Sequence, residues 1–237
     1  MNDAELLRRY AEEDSQEAFA ELVRLRIGLV YAAALRQTGG NVHRAQDVTQ
    51  AVFTALARNA ASLRRHSALI GWLYTSTRYA AAKIARSEQR RRNREQEAHT
   101  MHEELVSTQS EMPAERLRPV LDEAMHLLSE ADRRAVLLRF FDGCSMAELG
   151  RYLGLSEPTA KKRVERALGK LKTQLAKRGL ASTAATLAAA LSQEAAAAAT
   201  VPTGLAATVS GSALLAASAV GPGVGLFIMT TSKLTAI

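Results

Sequence analysis

Apolar residues recur at steps of three and four along most of the first 180 residues, the spacing that places them on one face of an α-helix. The clearest run is Ala160, Val164, Leu168, Leu171 and Leu175, with polar residues on the opposite face. No stretch alternates apolar and polar residues as a half-buried β-strand does. The sequence therefore predicts an all-α fold.

The stretch Ser145–Gly179 predicts a short helix, a tight turn and a longer second helix. Ser145 and Glu148 have the spacing of a capping box, which begins the first helix. Gly154 ends that helix, because glycine readily adopts the left-handed conformation that a helix terminus needs. Gly150 is small enough to let the two helices cross closely. Together these features predict a helix-turn-helix.

The second helix of this pair is basic on its outer face. Ser156 stands at its predicted N-cap, and Pro158 lies in its first turn, where a missing N–H costs nothing. The candidate DNA-contacting residues are Ser156, Thr159, Lys161, Lys162, Arg163 and Arg166. A helical hairpin with a solvated basic face is the alternative, but the agreement of cap, turn and charge favours DNA binding.

Four further helices are predicted in the first 96 residues. The first three begin at Asp3, Ser15 and Asn41, which are all favoured N-cap residues, and the fourth runs from about Ala68 to Gln96. Each has an apolar stripe. These four stripes are predicted to bury one core without help from the rest of the chain.

The fourth helix combines aromatic and basic residues. Charge that follows phosphates beside rings that stack on bases suits single-stranded nucleic acid. The candidate residues are Trp72, Tyr74, Arg78, Tyr79, Lys83, Arg86 and Arg90. For Trp72, burial in the core is the alternative interpretation.

Composition narrows the class of partner. The chain has a formal net charge of +7, and beyond residue 180 its charged side chains are Glu194 and Lys233, which cancel. The basic excess therefore lies in the helical part and predicts a polyanionic partner. The single cysteine, Cys144, excludes an intrachain disulfide. The charged N-terminus does not have the pattern of a secretory signal.

Residues 97–118 are rich in glutamate and are predicted to be a linker. The pair His99 and His102 is a weak hint of a metal site, because the spacing brings no thiol or carboxylate cluster to it. We expect neither a metal nor a cofactor. No nucleophile paired with a base and no phosphate loop is present in the pattern, so we expect no enzymatic activity.

The last part of the chain, residues 180–237, is rich in alanine and nearly uncharged. Leu205 to Met229 is long enough to span a bilayer, but its small and hydroxyl residues make it weakly hydrophobic. Three interpretations remain open: a flexible or partly helical regulatory tail, a membrane anchor, and a helix packed on the preceding domains.

Three segments together resemble the bacterial sigma factors of RNA polymerase. Arg44–Leu56 reads RAQDVTQAVFTAL and is similar to the helix that grips the polymerase β′ clamp. Gly71–Arg92 resembles the helix that binds and melts the −10 promoter element. Ser129–Lys172 is similar to the domain that reads the −35 element. The layout resembles the extracytoplasmic-function group, although this chain has Arg78, Tyr79 and Lys83 where the family often has Arg-Asn followed by an Asp four residues on.

The resemblance implies roles and boundaries. Asp47, Gln50 and Phe53 match the polymerase-binding motif. The implied parts are a region 2 domain (1–96) for polymerase and the −10 element, an acidic flexible linker (97–118), a region 4 domain (119–179) for the −35 element, and the C-terminal extension (180–237). The implied partners are core RNA polymerase, promoter DNA and an anti-sigma factor.

The resemblance implies a cytoplasmic sigma factor that recruits polymerase to promoters, with inner-membrane association of the tail as an expectation. One alternative is a helix-turn-helix regulator that acts without recruiting polymerase. Another is a membrane-tethered signalling protein. The Arg44–Leu56 helix separates the first function from the second, because an ordinary repressor has no use for it.

Overall fold

A computed structural model describes residues 3–63, 69–98, 113–180, 183–197 and 201–218. Within these ranges the chain is helical and has no strand, which confirms the all-α prediction. The first four helices are α1 (Asp3–Glu13), α2 (Gln16–Gln37), α3 (Val42–Leu63) and α4 (Leu69–Ala98). We call them the N-terminal domain. Ser15 caps α2 by accepting a hydrogen bond from the Ala18 N–H, as predicted.

The helix-turn-helix domain contains four helices: α5 (Pro113–Leu127), α6 (Glu130–Val136), α7 (Met146–Leu153) and α8 (Glu157–Ala176). A π-helical turn, Leu137–Phe141, continues α6. The predicted linker is too long at its C-terminal end, because α5 begins at Pro113 rather than after Pro119. Proline is favoured in the first helical turn, and burial of Leu121 and Met125 further along supports the helix.

The C-terminal extension forms two described helices, α9 (Ala184–Ala197) and α10 (Leu205–Ser218). Both pack on the preceding domains. Leu187 and Leu191 of α9 join the core of the helix-turn-helix domain, and Val209 and Ala213 of α10 join the core of the N-terminal domain. In these ranges the extension is therefore the packed helix of the three interpretations.

The membrane-anchor interpretation finds no support in the described ranges. No helix there combines the length and the apolar character that a bilayer crossing requires. Residues 219–237, which include the end of the apolar stretch, lie outside the described residues. The predicted linker residues 99–112, with His99 and His102, also lie outside them.

The N-terminal domain does not bury its apolar surface alone, which corrects the prediction of an independent four-helix core. Leu29 and Ala33 of α2 and Ile70 and Tyr74 of α4 belong to the same apolar cluster as α5, α6 and α8. The reason is that α2 has apolar residues on more than one face. One face packs against α1, α3 and α4, and another is covered by the helix-turn-helix domain.

Candidate nucleic-acid interface

The turn between α7 and α8 has the geometry that the sequence predicts. Glu148 N–H donates to Ser145 Oγ at 3.3 Å, and Ser145 N–H donates to Glu148 Oε2 at 2.8 Å, which completes the capping box. Hydrogen bonds from the Ser145 backbone and hydroxyl lower the pKa of Glu148. Gly154 ends α7 at φ +64°. A Cβ on Gly150 would lie 2.7 Å from the Leu155 carbonyl oxygen, so the close crossing requires glycine.

The outer face of α8 is open. Thr159, Lys161, Lys162 and Arg166 are exposed, and Arg163 is partly buried. Ser156 is exposed at the N-cap position, but it differs from the prediction: its hydroxyl shares a hydrogen bond with the Thr159 hydroxyl and caps no backbone N–H. The reason is that Thr159 Oγ1 lies 2.8 Å away, which makes a side-chain partner available.

A buried carboxylate holds α8 against α6. Lys170 of α8 donates to Asp132 Oδ2 at 2.6 Å, and the Asp132 side chain is nearly inaccessible. Burial raises the pKa of Asp132, but hydrogen bonds with Lys170 and Ser129 outweigh burial, so the pKa lies below its ordinary value. The ionised carboxylate therefore fixes the rotation of the basic helix at neutral pH. The sequence pattern did not single out Asp132.

The polar residues on α3 are arranged as the motif requires. Asp47 and Gln50 are exposed one turn apart, and Phe53 is fully buried in the core of the N-terminal domain. The buried ring anchors α3, and the two polar groups remain available to a partner. This arrangement agrees with the exposure and burial that the motif predicts for these three residues.

The candidate single-strand residues on α4 divide into two groups. Lys83, Arg86 and Arg90 are exposed near the end of the helix. Trp72 is partly buried and packs against the core of the N-terminal domain, which is the alternative that the sequence left open. Tyr79 is half exposed, and its ring lies 6.5 Å from the His126 ring of α5 in an edge-on arrangement.

Tyr74 contradicts the expectation of an exposed stacking residue. Its ring is 2% exposed, and its hydroxyl donates to the Asp122 carboxylate of α5. Arg36 of α2 donates to the same carboxylate, at 3.0 Å from Nε to Oδ2 and 3.1 Å from Nη2 to Oδ1. Burial, with Asp122 adding to it, raises the pKa of Tyr74 well above its ordinary value. Tyr74 is thus not available to a base in this arrangement.

Two family models match the chain in the order that the geometry suggests. The model described as Sigma-70 region 2 matches residues 22–91, and the model described as Sigma-70, region 4 matches residues 119–171. The first match covers α3 and most of α4, and the second covers the helix-turn-helix. The chain belongs to the sigma-70 family, in the extracytoplasmic-function group.

Curated relatives agree with this assignment. The ECF RNA polymerase sigma factor SigE of Mycolicibacterium smegmatis is 29% identical over 70% of this chain and 65% of its own length. The probable RNA polymerase sigma factor RfaY of Xanthomonas campestris is 29% identical over 71% of this chain and 43% of its own. The ECF RNA polymerase sigma factor SigW of Bacillus subtilis is 24% identical over 70% of this chain and 94% of its own.

The two family models match different sets of candidate residues. The sigma-70 region 4 match contains all of the candidate −35 residues on α8, from Ser156 to Arg166. The region 2 match contains the candidate polymerase-binding residues on α3 and the candidate −10 residues on α4. The match to region 4 ends at residue 171, so the C-terminal extension lies outside both family models.

Some residues of this sigma factor were not found from the sequence. Asp122 and Arg36 form a buried ion pair between the domains, with side chains 8% and 5% exposed. In the sequence, each stands among many surface charges. One signal was available: Asp122 falls beside Leu121 in the apolar register of α5, a position where a charge needs a partner. Among the described residues, no group of three His, Cys, Asp or Glu side chains could hold a metal.

Proposed function

We propose that this chain is a sigma factor that binds core RNA polymerase, directs it to promoters and helps to open the DNA. The observation that supports this most strongly is the ordered pair of sigma-70 region 2 and region 4 matches in one chain. The chain spans about 65% of SigE and 43% of RfaY, so the activity of the whole protein is a proposal. The sigma-70 family is not a class of catalytic enzymes.

Run-off transcription with purified core polymerase tests this function. The template is a fragment selected from a genomic library by the polymerase loaded with this protein. We expect a discrete transcript that requires both the protein and the core enzyme. Duplex binding without any transcript would instead support a helix-turn-helix regulator that does not recruit polymerase.

We propose that α3 is the polymerase contact. Asp47 and Gln50 are exposed over the buried anchor Phe53, so a charge reversal at Asp47 changes the surface without disturbing the core. Asp47→Arg should weaken co-purification with core polymerase and leave the melting temperature and duplex binding unchanged. Glu17→Arg, on an exposed position of α2, is the matched control and should bind core polymerase normally. Equal binding by both variants would contradict this assignment.

We propose that the two ends of a promoter are read by different chemistry. The exposed residues Thr159, Lys161, Lys162 and Arg166 of α8 suit the major groove of duplex DNA, where arginine recognises guanine. Arg78, Tyr79, Lys83, Arg86 and Arg90 of α4 suit a melted strand, where arginines neutralise phosphates and a ring stacks on a base. These assignments rest on position, exposure and charge.

We also propose a cytoplasmic location and an anti-sigma partner. The location follows from the partner, since the proposed function requires contact with core polymerase and chromosomal DNA. An anti-sigma protein is consistent with the extracytoplasmic-function group. Co-purification from native cells, followed by competition against core polymerase, would identify such a partner.

A further inference from the structure

The helix-turn-helix domain of the same chain covers part of the candidate −10 face of α4, around Tyr74 and Arg78, while Lys83, Arg86 and Arg90 stay exposed. Tyr74 is bonded to Asp122, and Tyr79 stands edge-on to His126. Arg78 is partly buried, and its Nη1 nitrogen has no hydrogen-bond partner among the described residues. Burial lowers the pKa of His126, and the nearby charges of Arg78 and Arg133 lower it further. A melted strand therefore cannot reach Tyr74 in the observed arrangement, and Arg78 is only partly accessible.

Ion pairs made by two arginines of α2 strengthen this contact between the domains. Arg36 makes its two-pronged contact with Asp122 of α5, and Arg26 bonds both Asp3 and Asp142, the residue that follows the π-helical turn. Both arginines belong to the N-terminal domain, and Asp122 and Asp142 belong to the other domain. Because these groups are largely buried, separation of the domains must rehydrate them together with the apolar surface around Leu29 and Ile70.

The C-terminal extension holds both domains at once. α9 packs on α8 and the π-helical turn and also contacts α2, and α10 packs on α2 and α3. Arg58 of α3 donates to the Ala216 carbonyl at 3.0 Å, which satisfies an acceptor in the last turn of α10. Positive charge at a helix C-terminus is also favourable for the helix dipole. The extension thus bridges the two domains, with α9 in contact with both and α10 packed on the N-terminal domain.

The lengths of the connecting segments make the extension the shorter tether. Residues 198–204 join α9 to α10 and reach at most ~30 Å when fully extended. Residues 99–112 join α4 to α5 and reach at most ~55 Å. While both helices of the extension remain seated, the shorter segment limits how far the domains separate.

Promoter geometry requires a larger separation. Elements centred at −10 and −35 lie about 25 base pairs apart, or about 85 Å at ~3.4 Å per base pair. Two touching domains, each about 30 Å across, span about 60 Å from end to end. The closed arrangement therefore cannot place α4 and α8 on both elements, and the chain must open to read a promoter.

We propose that the C-terminal extension is an intramolecular strap, which keeps the helix-turn-helix domain over the −10 face of α4 until α10 is released. The masking half of this proposal rests on the proposed function of α4, whereas the strapping half rests on the contacts alone. The −35 face of α8 stays exposed in the closed state. Release of α10 is thus the step that makes the covered residues of the −10 face, Tyr74 and Arg78, available.

The test displaces α10 from its packing against α2 and α3 in the full-length chain. Ala213 is fully buried against the N-terminal domain, so Ala213→Glu places a carboxylate where water is excluded. Leu215→Glu is the matched control, because Leu215 is 72% exposed on the same helix. The readouts are the radius of gyration from small-angle X-ray scattering and the affinity for a fluorescent single-stranded oligonucleotide. Circular dichroism reports whether each variant is folded.

We expect Ala213→Glu to increase the radius of gyration and to tighten single-strand binding by about tenfold or more, because the apparent Kd falls as the open fraction rises. Leu215→Glu should match the unchanged protein in both readouts. An unchanged radius of gyration in a folded Ala213→Glu variant would overturn the strap. An increased radius without tighter binding would support the strap and contradict the assignment of α4 as the strand reader.

A second variant keeps the test valid if Ala213→Glu does not fold. Arg58 is exposed, so Arg58→Glu leaves the core intact while it places a negative charge beside the C-terminal carbonyls of α10. We expect the same direction of change in both readouts, with a smaller amplitude. If Arg58→Glu leaves the radius of gyration and the single-strand affinity equal to those of the unchanged chain, the contact between Arg58 and Ala216 does not hold α10 in place. That result contradicts the proposal.

Discussion

The two candidate DNA-reading faces of this member of the sigma-70 family differ in their availability. The α8 face is exposed, and its candidate DNA-contacting residues all lie within one continuous stretch, from Ser145 to Gly179. The α4 face is partly covered, through contacts between residues such as Tyr74 and Asp122 that are 48 positions apart. The difference teaches that the candidate duplex-reading surface is encoded locally in the sequence. The accessibility of the candidate strand-reading surface depends on how the two domains are arranged.

The largest effect is expected from a substitution that removes the buried carboxylate of Asp122, which joins α5 to α2 and α4. Asp122→Ala deletes the acceptor of Arg36 and Tyr74, and loss of one partner of a buried ion pair costs ~3–5 kcal/mol. The closed arrangement should weaken by about this amount. Thermal unfolding and the radius of gyration measure it. Asp122→Asn is the control, because an amide oxygen still accepts hydrogen bonds, and it should lose less. If Asp122→Ala and the unchanged chain have the same melting temperature and radius of gyration, the contacts of Asp122 do not stabilise the closed arrangement.

The second largest effect is expected from a substitution that disturbs the turn between α7 and α8. Gly150→Ala brings a methyl group to 2.7 Å from the Leu155 carbonyl, so the two helices must move apart. We expect a loss of about 1–3 kcal/mol of stability, as for other overpacked sites, together with weaker duplex binding. Gly169→Ala on α8 meets no atom within 4 Å and should be neutral or slightly stabilising. If both alanines behave alike, the close crossing is not what fixes the turn.

The helix-turn-helix also shows which features of the fold the sequence could predict. The capping box at Ser145, the left-handed Gly154 and the close approach at Gly150 all lie within ten residues of one another, so spacing alone identified them. The register of the buried stripe on α8, from Ala160 to Leu175, is local for the same reason. The fold class, the helix-turn-helix and the exposed face of α8 were therefore predictable.

The covered face was not predictable, because its partners come from distant parts of the chain. Tyr74 beside arginines has the composition of a base-stacking site, and the sequence pattern does not show that Asp122 will bury it. The extension was difficult for a different reason. Val209 and Ala213 have helical spacing, but they stand among residues nearly as small and apolar, so no face was distinguished.

Single alanine substitutions on α8 should sharpen the open side of the comparison. Arg166→Ala should cost ~1–3 kcal/mol of promoter binding and relax the preference at one base pair if the arginine reads a base. Lys162→Ala should instead weaken binding to all duplexes alike and reduce the salt dependence if the lysine meets a phosphate. Fluorescence anisotropy across a salt series distinguishes the two. Unchanged promoter binding by a combined variant of Thr159, Lys162, Arg163 and Arg166 would exclude α8 as the reader.

The smallest expected effect is a pH dependence of the cover. The pKa of His126 is lowered in the closed state by burial and by Arg78 and Arg133. Opening removes Arg78 and part of the burial, whereas Arg133 stays beside His126 in the same domain, so the open state binds the proton more tightly. The closed arrangement should be fully favoured above pH ~6.5 and should weaken as the pH falls below that value. Scattering measured across this range, with His126→Gln as the control, should show a shift towards the open form that the control lacks.

The most direct test of the closed-to-open account is hydroxyl-radical footprinting of tyrosines with and without core polymerase. Tyr74 is 2% exposed under the helix-turn-helix domain, Tyr31 is equally buried within the N-terminal core, and Tyr152 is exposed on α7. Our account predicts that Tyr74 is protected in the free protein and becomes reactive when core polymerase binds. Tyr31 should stay protected, and Tyr152 should be reactive in the free protein. A Tyr74 that is already reactive in the free protein, or that stays protected in the complex, would contradict the account.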